Sequence, residues 1–207
     1  MGNTKEKILS QSLSLFNKEG LAKVTLRTIA RAMNISQGNL NYHFKKREDI
    51  IETLYHQLVK RIDEALTENQ GKEPCLKLLV DISTTIMNSF YDYRFFFLDF
   101  VQIMREHESI KAHYLKLSEM RKMQFNNLFK VLIDNGVLRE EQLPKEYVYL
   151  YDRFQIIGDF WISSAEVVNK RMSKKYIDYY SEVITQAIYP YLTDRGKKEY
   201  HAIFNGN

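Results

Sequence analysis

The sequence has few of the residues that interrupt helices or cross-link a chain. Its 207 residues include 3 prolines, 8 glycines and 1 cysteine. Low proline and glycine contents favour long helices over a strand-rich fold with many tight turns. The single cysteine, Cys75, excludes an internal disulfide. With no signal peptide apparent at the start of the sequence, we expect a cytoplasmic protein.

Long apolar runs and the common motifs of enzymes are also missing. The most apolar stretch, residues 95–98, is followed by Asp99, so we expect no contact with a membrane. There is no phosphate-binding loop, nucleophile elbow or metal-binding cysteine pair, and we predict no catalytic residue, cofactor or metal ion. His107 and His113 are six positions apart among charged residues, and we interpret both as surface residues.

Charge is distributed unevenly along the chain. The formal net charge is +4, but residues 1–47 carry nine basic and two acidic side chains, a balance of +7. The remainder carries 21 basic and 24 acidic side chains, a balance of −3. A basic N-terminal segment suits a polyanionic partner that docks at one end of the molecule. A solvated surface with chance asymmetry would give the same numbers.

Apolar residues recur at helical spacing along the chain, and the pattern predicts an all-α protein of about nine helices. Four of these helices precede a polar linker at residues 69–74, three lie between that linker and residue 135, and two follow. Pro144 is expected in the first turn of the eighth helix, which runs to Asn169. Ser173 is expected to begin the last long helix, which Pro190 ends or kinks.

The helical pattern divides the chain into three parts. We predict a helix-turn-helix domain over residues 1–47, a connecting helix and linker over residues 48–73, and a larger helical domain over residues 74–207. The connecting helix joins the other two parts, so it is expected to transmit any signal between them.

Residues 25–47 carry the clearest functional pattern. Two short helices, capped by Thr25 and Ser36, can pack across each other if Asn34 adopts a left-handed backbone conformation in the turn. Such a pair presents its second helix to the DNA major groove, where Asn and Gln read adenine and flanking basic residues bind phosphates. A helical corner with no partner is the alternative. The predicted DNA-binding residues are Thr25, Arg27, Thr28, Ser36, Gln37, Gly38, Asn39, Asn41, Tyr42, His43, Lys45, Lys46 and Arg47.

Several segments of this region resemble the TetR/AcrR family of bacterial transcriptional regulators in order and spacing. The matching segments are Val24–Ala30, Ile35–Leu40, Tyr42–Phe44 and Glu48–Ile50. Two positions differ, because Asn34 replaces the usual glycine of the turn and Asn41 replaces a frequent tyrosine of the recognition helix. The resemblance implies a transcription factor, expected to be a repressor, that binds an inverted repeat in double-stranded DNA as a homodimer.

Aromatic residues are concentrated in the C-terminal domain. Most are expected to fill its core, but some are expected to line a pocket for a small apolar or aromatic effector, as the resemblance implies. The candidate lining residues are Phe97, Phe100, Met104, Phe125, Phe129, Phe154 and Trp161.

Two late helices, over residues of about 145–169 and 176–192, are apolar on more than one face. Such a helix is buried on both sides, either inside one core or against a second subunit. Together with the resemblance, this pattern favours a homodimer formed by these two helices. In the alternative function, the C-terminal domain only dimerises or docks a protein partner and binds no effector.

Overall fold

A computed structural model of the chain describes residues 4–69, 71, 73–168 and 173–204. Within these ranges the chain forms eleven α-helices, two short 3-10 turns and no β-strand. The helices are α1 (Thr4–Glu19), α2 (Leu26–Ala32), α3 (Gln37–His43), α4 (Arg47–Thr67), α5 (Leu76–Asp92), α6 (Arg94–Leu98), α7 (Phe100–Glu106), α8 (Glu108–Asp134), α9 (Glu146–Val168), α10 (Lys175–Ile188) and α11 (Asp194–Phe204).

The first three helices and the start of α4 enclose a small core, which we call the head. Ile8 and Phe16 of α1, Ile29 of α2, Leu40 of α3 and Ile50 of α4 are all fully buried there. Each helix contributes its apolar stripe and leaves its polar face to solvent, as the helical spacing in the sequence predicts. The remaining helices and most of α4 form the larger part of the molecule, which we call the body.

Two connections attach the head to the body. One is α4, which continues from the head into the body. The other is a contact between α1 and α6, where the rings of Phe16 and Phe95 stack with centroids 5.1 Å apart. Beside them, the Asn17 amide donates to the carbonyl of Asp92 at 2.7 Å and accepts from the Phe95 N–H at 3.0 Å. The head is therefore held at two places rather than by one flexible joint.

The all-α prediction is confirmed, but the helix count differs from about nine. The segment between the linker and residue 135 contains four helices rather than three, because α6 ends at Leu98 and α7 begins at Phe100. A further α-helix of 11 residues, α11, follows the last long helix. Pro190 lies in the 3-10 turn Tyr189–Tyr191 that follows α10, in agreement with its predicted role.

Three local expectations were wrong. Pro144 precedes α9 instead of lying in its first turn, because Lys145 has a φ of 62° and the helix begins only at Glu146. His107 is not a surface residue: it is 8% exposed, at the junction of α7 and α8. Ser173 lies two residues before the start of α10. The expected end of the preceding helix at Asn169 falls outside the described residues.

None of the helices in the described part of the chain is long and apolar enough to cross a membrane. No group of His, Cys, Asp and Glu side chains among those same residues is arranged to hold a metal ion.

Candidate DNA-binding surface and effector cavity

Local hydrogen bonds cap the first ends of α2 and α3. The side chain of Thr25 accepts from the Thr28 N–H at 3.2 Å, and the Thr28 hydroxyl accepts from the Thr25 N–H at 2.9 Å. Ser36 caps α3 by accepting from the Asn39 N–H at 3.1 Å. Between the two helices Asn34 has a φ of 53°, the left-handed conformation that its position predicts. The caps therefore fix where α2 and α3 begin, and Asn34 allows the chain to turn between them.

The outer face of α3 is free to contact a partner. Its inner side chain, Leu40, is fully buried against the head. Gln37, Asn39 and Asn41 are exposed on the other side, and Tyr42 is 85% exposed. An exposed aromatic ring beside amide side chains gives the surface both hydrogen-bonding groups and an apolar contact, which suits the edges of bases.

The basic residues near α3 do not share one environment. Arg27, Lys45 and Lys46 are exposed. Arg47 is half-buried instead, and its guanidinium donates to the carbonyl oxygens of Leu21 at 3.1 Å and Val24 at 3.4 Å. Arg47 therefore holds the segment that leads into α2. Its predicted contact with phosphate has no support from this geometry, whereas the other three side chains are open to solvent.

A cavity of about 180 Å³ lies inside the body. Residues of α4, α5, α6, α8, α9 and α10 line it, and most of them are apolar or aromatic. Of the predicted lining residues, Phe97, Phe125 and Phe154 face this cavity.

Four predicted lining residues do not face the cavity. Trp161 is 1% exposed and packs on Tyr180 with ring centroids 5.2 Å apart. Phe129 is buried in a second core cluster near α11, while Phe100 and Met104 pack beside α6 in the first. The sequence identifies aromatic helices but does not determine which face of each helix borders the empty space, and this caused the error.

One wall of the cavity is polar, and none of its polar residues is among the predicted lining residues. Asp159 of α9 accepts a hydrogen bond from the Tyr114 hydroxyl of α8 at 2.5 Å. The Gln155 amide donates to the same hydroxyl at 3.0 Å and to the Ser118 hydroxyl at 2.7 Å. Burial raises the pKa of Asp159 to about 6, although the bond from Tyr114 partly opposes this shift. In the sequence, the acidic Asp159 lies between two apolar pairs, at residues 156–157 and 160–161. This pattern could have predicted a polar wall.

The cavity also touches the helix that carries the head. Tyr55 of α4 lines it, and the Tyr55 hydroxyl lies 2.8 Å from Nδ1 of His113 on α8. The rings of His56 and His113 meet edge to face with centroids 5.1 Å apart. Further along α4, Asp63 is paired with Arg121 of α8. Displacement of α4 would therefore disturb several contacts at the cavity wall.

The outer faces of α9 and α10 expose large apolar side chains. Ile156 on α9 is 61% exposed and Tyr179 on α10 is 60% exposed. Tyr149, Phe160 and Val183 add to the same two exposed faces. These side chains belong to the two late helices that are expected to form a homodimer.

A short, exposed helix presented by a capped turn, on a head joined to a larger helical body, defines a helix-turn-helix DNA-binding protein. Two family descriptions match the chain: "Bacterial regulatory proteins, tetR family" over residues 8–54 and "Bacterial transcriptional repressor" over residues 47–200. The chain therefore belongs to the TetR family of bacterial transcriptional regulators. Members of this family are DNA-binding regulators rather than enzymes, and they bind operator DNA and dimerise.

The relatives agree with this assignment. An uncharacterised helix-turn-helix regulator of Bacillus subtilis, YerO, is 28% identical over 148 residues, which cover 67% of this chain and 50% of that protein. The match thus spans about half the length of YerO. IcaR of Staphylococcus aureus, described as the negative regulator of a biofilm operon, is 24% identical over 73% of this chain and 72% of its own.

Solved structures share the fold. A TetR-family regulator of Marinobacter aquaeolei superposes with a TM-score of 0.87 at 23% identity, over 97% of both chains. The ketosteroid regulator KstR2 of Mycobacterium tuberculosis superposes with a TM-score of 0.68 at 13% identity, over 94% of this chain and 97% of its own.

Proposed function

We propose that this regulator is a repressor that binds an inverted-repeat operator as a homodimer and leaves it when a small apolar or aromatic molecule occupies the cavity. One observation carries the proposal: α4 both lines the cavity, through Tyr55, and begins in the head directly after α3. A molecule that binds in the cavity therefore acts on the helix that positions α3. It favours release only if it binds the released arrangement more tightly than the DNA-bound arrangement.

In this proposal α3 lies in the major groove. Gln37 and Asn41 read base edges, while Arg27, Lys45 and Lys46 contact phosphates. The exposure of these side chains and the burial of Leu40 behind them support this division. In a dimer the two copies of α3 would enter successive major grooves, roughly 34–36 Å apart.

Selection of duplexes from a randomised library tests the operator. We expect a palindromic site to be enriched, and a failure to enrich one would overturn the proposal. Two variants then separate the roles of the side chains. Lys46→Ala should weaken binding to all sequences and reduce the slope of log K against log salt by about 1. Asn41→Ala should instead relax the preference at one base pair, at a cost of about 1–3 kcal/mol for the preferred sequence.

The dimer is assigned to the exposed apolar faces of α9 and α10. Contiguous apolar surface of this kind marks an interaction site, and in this family two copies of the chain associate. Phe160→Glu would place a charge on this surface and should convert the dimer to a monomer in analytical ultracentrifugation. Lys130→Glu on α8 alters charge at another exposed position and is the matched control. A dimer that survives Phe160→Glu would contradict this placement.

The effector response is tested by operator release. A purified dimer on its selected operator is titrated with small aromatic compounds, and the bound fraction is followed by fluorescence anisotropy. Phe154→Trp places a larger side chain in the cavity. It should reduce the release of operator by these compounds without loss of operator affinity in their absence. If no compound that binds the body alters operator affinity, the C-terminal domain only dimerises or docks a protein, which is the alternative function.

A further inference from the structure

The cavity is mostly apolar, and one of its walls carries a carboxylate. Rings of Tyr55, Phe90, Phe97 and Phe125 face the empty space. Asp159 faces the same space from α9. A carboxylate beside an aromatic cavity is unfavourable unless something compensates its charge, because burial removes its hydration.

No basic side chain within the described residues compensates Asp159. Its hydrogen-bond partner is the neutral hydroxyl of Tyr114, which donates one bond at 2.5 Å. Among the described residues that line the cavity, Arg121 is the one cation, and it is paired with Asp63 of α4. The neighbouring acid on α9, Asp152, does have an ion-pair partner, because Nζ of Lys122 lies 2.7 Å from its Oδ1. In the described part of the chain, Asp159 thus differs from Asp63 and Asp152 in having no ion-pair partner.

The polar network around Asp159 holds it in place rather than neutralising it. Gln155 donates to both Tyr114 and Ser118, so the Tyr114 hydroxyl is left to donate to the carboxylate. The carboxylate is therefore fixed in orientation and keeps lone pairs available to a ligand. A fixed charge of this kind contributes more to recognition than a mobile one, because no ordering is needed on binding.

We propose that the effector is a lipophilic organic cation, with an aromatic body among the rings and an ammonium or amidinium group at Asp159. The proposal rests on the proposed function, because it concerns the same cavity. Opposite charge at Asp159 provides an ion pair in a poorly hydrated site, and the surrounding rings add cation–π attraction. An anion would be repelled by Asp159 and would find Arg121 already paired. A neutral ligand would leave the carboxylate without compensation.

A matched pair of probes tests the charge without any mutation. Benzyltrimethylammonium and neopentylbenzene have the same shape and differ in charge alone. Their naphthylmethyl counterparts extend the same comparison to a larger body. Isothermal titration calorimetry of the full-length dimer should show at least tenfold tighter binding of a cation than of its neutral isostere. The proposal would be overturned if each cation bound no more tightly than its neutral isostere, or if neither cation bound at all.

Two variants locate the charge. Asp159→Asn keeps the shape and can still accept from Tyr114. It should weaken binding of the cation at least tenfold, while the neutral isostere should bind as tightly as before or more tightly. Asp152→Asn removes a charge from the same helix and should change neither. If Asp159→Asn leaves cation affinity unchanged, the assignment is wrong. Should this variant fail to fold, the comparison of probes on the unmodified protein still decides the question.

Operator release, measured in the same samples, separates this proposal from the proposed function. Cation binding that depends on Asp159 but does not release operator would support the cation site and overturn the ligand response. Release by the neutral isosteres as effectively as by the cations would preserve the ligand response and overturn the cation site.

Discussion

Replacement of Asp159 by asparagine should make the protein more stable at neutral pH, although it removes a candidate binding group. Burial raises the pKa of Asp159 from the ordinary 3.8 to about 6. At about 1.4 kcal/mol per pH unit, that difference corresponds to a destabilisation of at most about 3 kcal/mol when the group is ionised. Asp159 borders the cavity and is only partly buried, so we expect about 1–3 kcal/mol in practice.

The direction of the pH dependence follows from the raised pKa. The folded state binds the proton of Asp159 more tightly than the unfolded state, so this group favours folding in acid. That contribution is present below pH 3.8 and is lost as the pH rises through about 6. Asparagine cannot ionise. The gain in the free energy of unfolding of Asp159→Asn over the unmodified protein should therefore be full at pH 7.5 and should disappear near pH 4. Tyr114 does not titrate in this interval, because burial and the adjacent Asp159 raise the pKa of Tyr114.

Thermal unfolding followed by circular dichroism at pH 7.5 and pH 4.5 measures this difference. For a chain of this size, about 1 kcal/mol shifts Tm by about 2–4 °C. The expected gain at pH 7.5 is therefore roughly 2–12 °C, with a smaller gain at pH 4.5. Asp152→Asn is the matched control: it loses a half-exposed ion pair to Lys122 and should lower stability by about 1 kcal/mol or less. A lower Tm for Asp159→Asn at pH 7.5, or a gain independent of pH, would refute the reasoning.

Substitutions at Gly196, Asn34 and Arg47, two of them with a comparison variant, test the packing of the fold by thermal and chemical unfolding. Gly196→Ala should cost about 3 kcal/mol, since a β-carbon would overlap the carbonyl oxygen of Val137; unchanged stability would contradict this close approach. Asn34→Ala should cost about 1 kcal/mol at its φ of 53°, whereas Asn34→Gly should cost nothing. Arg47→Ala should cost about 1–2 kcal/mol by leaving two carbonyls unpaired, whereas Lys46→Ala should leave stability unchanged and affect DNA binding.

The turn in the head could be predicted from the sequence because its determinants are local. Thr25 and Ser36 each cap the helix that follows by accepting from the N–H three residues ahead, and Asn34 is one of the few residues that tolerate a left-handed conformation. The role of Arg47 could not be predicted in the same way. Its partners, the carbonyls of Leu21 and Val24, lie 26 and 23 positions away, and a basic residue in a basic run gives no sign of them.

The cavity was predicted less well because a void depends on how helices pack rather than on what they contain. Phe97 and Phe100 are three residues apart, yet only Phe97 lines the cavity, because α6 ends between them. Phe125 and Phe129 are separated by a single turn of α8, and only Phe125 faces the empty space. Composition identified the aromatic helices correctly. The rotation of each helix about its axis is set by tertiary contacts that the sequence does not reveal.

The two attachments of the head restrict how a ligand in the cavity can move it. The contact of Asn17 with the carbonyl of Asp92 and the N–H of Phe95 fixes α1 to the body. The cavity side chains of α4, from Tyr55 to Ile62, lie beyond the head and move with α4. In the proposed ligand response, displacement of this part of α4 would therefore favour rotation of the head about the α1–α6 contact over its translation. Such a rotation would change the distance between the two copies of α3 in a dimer. That distance must match the spacing of successive major grooves for the dimer to bind its operator.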